Sequence, residues 1–122
     1  VTLPKSLTSL GNYTFSGCSN LKEITLPDGI VNLGYGAFEE CSSLKSINIP
    51  QGITTIESNV FSGCSSLENI NIPDNVTSIK ENAFRGCSSL KDSSIKLSDN
   101  ITEIGNYAFS GCALKNFLDV DD

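Results

Sequence analysis

Apolar residues in this chain follow a pattern that recurs every 23 residues. The leading triplet is Leu21/Ile24/Leu26, then Leu44/Ile47/Ile49, Leu67/Ile70/Ile72 and Leu90/Ile95/Leu97. A spacing of three and then two predicts an arc that runs into a short strand, where alternate residues point inward. Val1 and Leu3 read as the remains of the same strand in a preceding unit. A turn follows at Pro27-Asp28-Gly29, Pro50-Gln51-Gly52, Pro73-Asp74-Asn75 and, without the proline, Ser98-Asp99-Asn100. Glycine and asparagine tolerate the left-handed backbone that tight turns often demand, so positive φ is predicted at Gly29, Gly52, Asn75 and Asn100.

A second apolar pair comes next, at Leu7/Leu10, Ile30/Leu33, Ile53/Ile56, Val76/Ile79 and Ile101/Ile104, and suits a short extended segment on another face. Each unit ends in a phenylalanine three residues before a cysteine: Phe15/Cys18, Phe38/Cys41, Phe61/Cys64, Phe84/Cys87 and Phe109/Cys112. That spacing predicts a single helical turn with both side chains inward and Ala37, Ala83 and Ala108 packed beside the ring.

A fixed period of this length means stacked supersecondary units, because one unit alone buries too little apolar surface to offset the entropy of ordering it. Units are expected near residues 1–20, 21–43, 44–66, 67–89 and 90–113, with a remnant at 114–118 and an acidic tail at 119–122. The last unit is irregular. Lys91-Asp92-Ser93-Ser94-Ile95 carries two extra residues, expected to bulge from the strand edge near Ser93, and Cys112-Ala113-Leu114 lacks one. Phe117 and Leu118 read as a cap over the final layer. The first residues already read as the tail of a repeat, so the chain is expected to be a processed protein or part of a longer one.

The unit L-x-x-I-x-I-P-x-G/N-I-x-x-I-x-x-x-A-F-x-x-C-S-x, seen most cleanly from Leu44 to Ser66 and from Leu67 to Ser89, resembles the BspA-like (Treponema-type) leucine-rich repeat. The resemblance extends over about 115 of the 122 residues. It is specific: proline after the strand together with A-F-x-x-C is not shared by most leucine-rich repeats. It implies a right-handed leucine-rich repeat solenoid of the α/β horseshoe class, about five repeats long, with a parallel sheet along one side. It also implies a cell-surface or secreted protein of a bacterium or parasitic protist that adheres to extracellular-matrix proteins or to neighbouring cells.

Composition narrows the remaining classes. A hydrophobic content of 39% suits a folded chain. The net charge is −6, with only eight Lys and Arg and no His, which argues against nucleic acid as a partner. No apolar stretch approaches the roughly 18 residues of a membrane span. Neither a nucleophile–base pair nor a phosphate loop nor a metal-ligand cluster stands out, so no enzyme, cofactor or metal is expected. Asp119-Val120-Asp121-Asp122 lacks the glycine turn and bidentate glutamate of a calcium loop and reads as a solvated tail.

The five cysteines are an odd number in register, and buried free thiols acting as small hydrophobes are expected. The outward strand columns are the candidate ligand-binding surface: Glu23, Ser46, Asn69 and Ser94, then Thr25, Asn48, Asn71 and Lys96, bordered by Lys22, Lys45, Glu68 and Lys91. Small polar side chains in register form a flat platform, and truncating Asn48, Asn71 and Lys96 is expected to leave stability nearly unchanged. Tyr13 and Tyr107 share a column with Asn59 and Asn82 and are expected to face solvent. Asn12, Asn75 and Asn100 open N-x-T glycosylation triplets. Two functions fit this pattern. One is an interaction module that binds a protein or glycan through the sheet face; the other is a rigid spacer within a larger surface protein.

Overall fold

The computed structural model describes residues 2–92 and 95–114. The described chain coils into a β-solenoid whose strands are two or three residues long and pair in parallel with the equivalent strand of the next coil. In chain order these are β1 (Ser9–Leu10), β2 (Glu23–Ile24), β3 (Asn32–Leu33), β4 (Ser46–Asn48), β5 (Thr55–Ile56), β6 (Asn69–Asn71), β7 (Ser78–Ile79), β8 (Ile95–Lys96) and β9 (Glu103–Ile104). The leading triplets build a continuous first sheet, β2-β4-β6-β8. The second apolar pairs build the other side, which falls into two sheets, β1-β3 and β5-β7-β9.

The two-residue insertion leaves the first sheet in register: Ile70 pairs with Ile95 and Asn71 with Lys96. The extra residues are therefore absorbed before Ile95. Ser93, where the bulge was expected, lies outside the described residues, as do Val1, Phe117, Leu118 and the acidic tail. After Cys112 the chain starts another coil, in which Ala113 bridges Lys91 in parallel and its N–H donates to the Leu90 carbonyl at 2.9 Å.

The segment between the second strand and the next coil differs from the sequence expectation. No helix is present among the described residues. Overlapping turns take its place, with i to i+3 bonds such as Ser62 N–H to Asn59 O and Cys64 N–H to Phe61 O. Alternate amides of this segment bond the coil ahead: Asn59 to Glu81, Phe61 to Ala83 and Gly63 to Arg85. A helical turn would aim those N–H groups along its own axis. Stacked coils instead use them as rungs, which satisfies the buried backbone. Phe and Cys still point inward, as expected.

The predicted positive φ at Gly29, Gly52, Asn75 and Asn100 is not found. Their turns close with Ile30 N–H to Pro27 O, Ile53 N–H to Pro50 O and Val76 N–H to Pro73 O, and a type I turn of this kind keeps both central residues at negative φ. Left-handed backbone occurs in the Phe–Cys corner, at Tyr13, Gly36, Asn59, Asn82 and Tyr107, and again at Gly17, Glu40, Gly63, Gly86 and Gly111. Asparagine or glycine fills three of the first five positions and glycine four of the second five, so the signal was present in neighbouring columns.

The core is one continuous cluster with no buried polar or charged residue among those described. At its centre the five phenylalanine rings stack with centroids 5.4, 5.7, 5.3 and 5.3 Å apart and interplanar angles of 5–12°. Beside them each buried cysteine donates its Sγ–H to a phenylalanine carbonyl one coil back: Cys41 to Phe15, Cys64 to Phe38 and Cys87 to Phe61, all at 3.1 Å.

Candidate interaction surface

The period-2 alternation of the first sheet puts Ile24, Ile47, Ile70 and Ile95 into the core and turns their neighbours to solvent. Strand pairing sets Glu23 beside Ser46 and Ser46 beside Asn69, and on the other outward column Asn48 beside Asn71 and Asn71 beside Lys96. Glu23, Thr25, Ser46, Asn48, Asn69 and Asn71 are all exposed and line one shallow depression. Lys96 lines a smaller hollow together with Gln51, Asn71 and Asp74. Ser94, the remaining candidate, lies outside the described residues.

Asn48 differs from the rest of this platform. Its Oδ1 accepts from the Leu26 N–H and its Nδ2 donates to the Leu26 carbonyl, both at 2.9 Å. The amide thus imitates one more rung of sheet where β2 has ended. Truncating it leaves two backbone groups unpaired, so the expected indifference of stability does not extend to this residue. Among the described residues, nothing comparable engages the side chain of Asn71.

The second side uses asparagine in a way the sequence reading missed. Asn75 Nδ2 donates to the Gln51 carbonyl at 2.6 Å and Asn100 Nδ2 to the Asp74 carbonyl at 2.9 Å. Asn12 Oδ1 accepts from the Tyr35 N–H at 2.9 Å. All three asparagines of the N-x-T triplets therefore clamp successive coils. For Asn75 and Asn100 the signal was their placement one coil apart at the same turn; Asn12 stands in another column and carried none.

The two tyrosines face solvent, as expected, and each has an internal contact. Tyr107 lies under the Arg85 guanidinium, 5.1 Å from the ring centroid, and the Tyr13 ring covers the Cα of Gly36. Tyr35 and Val31, which no column singled out, are about as exposed as Tyr13.

The cysteines are free. Burial, with the neighbouring thiol of Cys18, pushes Cys41 up to about 11, and burial with the neighbouring Cys41 pushes Cys64 up to about 12. A hydrogen bond with Cys112 and then burial raise Cys87 as well. These thiols remain protonated donors at neutral pH and are poor nucleophiles. No group of three potential metal-ligating side chains occurs among the described residues, and no helix there is long and apolar enough to cross a membrane.

Residues 1–116 match the family described as BspA type leucine-rich repeat region, in six copies. The chain belongs to the BspA-type leucine-rich repeat family. Solved structures of bacterial leucine-rich repeat proteins share its fold, among them the following three. A leucine-rich cell surface protein of Faecalibacterium prausnitzii is 30% identical, with a TM-score of 0.84, over 98% of this chain and 34% of its own. The T. pallidum leucine-rich repeat protein is 30% identical, with a TM-score of 0.82, over 88% of this chain and 52% of its own. A leucine-rich repeat protein of Bacteroides ovatus is 29% identical, with a TM-score of 0.80, over 93% of this chain and 35% of its own. This BspA-type chain thus spans about half the length of the T. pallidum protein and about a third of the other two. No curated protein matches it.

Proposed function

We propose that this BspA-type chain is an adhesive module displayed at a cell surface or secreted, binding a protein or glycan of the extracellular matrix or of a neighbouring cell through its first sheet. Leucine-rich repeat proteins of this kind are interaction modules, and the finer reading rests on one observation. Two outward columns of small polar side chains stand in strict parallel register on a continuous sheet and line one shallow depression. Because the core is filled entirely from the inward columns, the outward ones are free to serve recognition. The cell-surface description of the F. prausnitzii relative supports the location.

The test is a variant carrying Asn69→Ala, Asn71→Ala and Lys96→Ala, which spares the Asn48 clamp. Its melting curve should match that of the parent, while retention on immobilised matrix protein or on whole cells falls. Undiminished retention by a folded variant would sink the sheet-face reading. It would favour the spacer, to which the unbroken phenylalanine stack is well suited.

A further inference from the structure

The second side of the solenoid is broken at one joint, and exposed aromatic side chains gather there. At three joints an amide of one coil donates to the coil behind it: Val31 to Thr8, Thr77 to Thr54 and Thr102 to Thr77. A second set follows three positions on, Gly34 to Leu10, Lys80 to Ile56 and Gly105 to Ile79. The equivalent bonds from Thr54 to the Val31 carbonyl and from Glu57 to the Leu33 carbonyl are not made, and β3 and β5 belong to separate sheets. Every laddered joint also carries a side-chain clamp, from Asn12, Asn75 or Asn100. At the open joint Gly52 stands in the column of Asn75 and Asn100 and Tyr35 in that of Asn12, and Val31 Cγ1 fills the space beside Gly52, 2.9 Å from where a Cβ would stand.

Val31 at 49% exposure and Tyr35 at 50% lie on the coil that forms this open joint, and Tyr13 at 53% lies on the coil behind it, with its ring over Gly36. Tyr13 and Tyr35 are neighbours, since the Tyr13 N–H donates to the Tyr35 carbonyl at 2.8 Å. Tyrosine is among the residues that most often dominate binding energy, and the first sheet has none.

The surrounding charge is acidic. Glu39, Glu40, Glu57, Glu81 and Glu103 occupy the second strands and the corner that follows them, against Lys80 and Arg85. Both cations are already engaged, Lys80 by Glu103 at 3.0 Å and Arg85 over the Tyr107 ring. The first sheet and its border instead balance Lys22, Lys45, Lys91 and Lys96 against Glu23, Glu68 and Asp92, without the acidic excess of the second side. A cationic partner is therefore steered away from the first sheet and towards the second side.

We propose that the gap between β3 and β5, bordered by Tyr13, Val31 and Tyr35, is a second docking surface for a protein segment that presents arginine or lysine side chains. The Arg85–Tyr107 pair shows on this same side how a guanidinium seats on a tyrosine ring, and Tyr13 and Tyr35 offer two further rings. Guanidinium and ammonium groups only donate, which suits the Val31 and Leu33 carbonyls at the joint where the ladder is open.

The test uses a soluble peptide of alternating arginine and glycine, with its glutamate–glycine counterpart as control, titrated into the isotope-labelled chain and followed by amide NMR. Saturable shift changes should centre on Tyr13, Val31, Tyr35, Thr54 and Glu57, and the glutamate peptide should cause none. The Tyr13→Asn/Tyr35→Ser variant copies residues that sister coils place in those columns (Asn59 and Ser58), so it should keep the parent's melting curve. It should bind the arginine peptide at least about tenfold more weakly, while Asn71→Ala binds it unchanged. Shift changes confined to the first sheet or to residues 119–122, equal affinity in the tyrosine variant, or no saturable binding would each overturn the proposal.

Discussion

The first sheet and the second side are built by one repeat, yet only the first is continuous. Four strands, β2, β4, β6 and β8, run without interruption, whereas the second side parts between β3 and β5. Burial does not separate them: the inward residues Ile47 and Ile70 on one side and Leu33 and Ile56 on the other are all buried. What differs is the side chain that ties one coil to the next. On the first sheet, Asn48 grips both backbone groups of Leu26 across the joint at which the second side has no clamp at all. Inward columns therefore make the stack, and on the second side an asparagine clamp accompanies every joint that is laddered.

The comparison can be broken most severely through the core that both sides share. Phe61 stacks between Phe38 and Phe84 at 5.7 and 5.3 Å, so Phe61→Ala should cost about 3–5 kcal/mol and open both sides together in denaturant melts. Selective loss of the second side alone would contradict a shared core. Next in size is Asn48→Ala, which should cost about 1–3 kcal/mol by orphaning the Leu26 N–H and C=O. Asn71→Ala on the same sheet should stay within about 0.5 kcal/mol. Equal effects from these two substitutions would show that the amide clamp contributes nothing.

Alkaline titration probes the core chemically. An unfolded thiol loses its proton near the usual value of about 9, whereas Cys41 and Cys64 hold theirs up to about 11 and about 12. Above pH 9 the unfolded chain thus binds fewer protons than the folded one. Stability is fully present below that pH and falls as pH rises towards 11, by about 1.4 kcal/mol per pH unit for each such thiol. Melting temperature against pH should fall less steeply for Cys64→Ala than for the parent, and parallel slopes would refute the linkage.

A smaller and stabilising effect is expected from repairing the open joint. Val31→Thr with Gly52→Asn copies the Thr54/Asn75 pair, which spans a closed joint, and should add about 0.5–1.5 kcal/mol. Amide exchange at Thr54 and Glu57 should then slow to match Thr77 and Lys80 in the same columns. Rapid exchange persisting in the repaired variant would point to a cause other than the missing clamp.

The period made much of this legible. The columns Leu44/Ile47/Ile49 and Leu67/Ile70/Ile72 named the core, and alternation on short strands named Glu23, Ser46, Asn69, Thr25, Asn48 and Asn71 as outward. Backbone detail was less accessible. Glycine at the end of Pro50-Gln51-Gly52 suggested left-handed backbone, but a type I turn closes there without it, and positive φ falls instead in the Phe–Cys corner at Asn59, Asn82 and even Tyr13. The corner itself forms turns because its amides are needed by the next coil, and no single unit reveals that need.

By itself, then, the sequence determined the stacking, the register and the inward residues, because a 23-residue period of apolar side chains can be buried only by repeating one coil upon another. The tertiary structure decided which polar residues are spent on the joints. Asn48, Asn75 and Asn100 look alike in the chain, and only the position of the neighbouring coil's carbonyl shows that they are clamps. It also decided where the ladder stays open, because that depends on Val31 meeting Gly52 across 21 residues of chain, a contact that no column of the repeat contains.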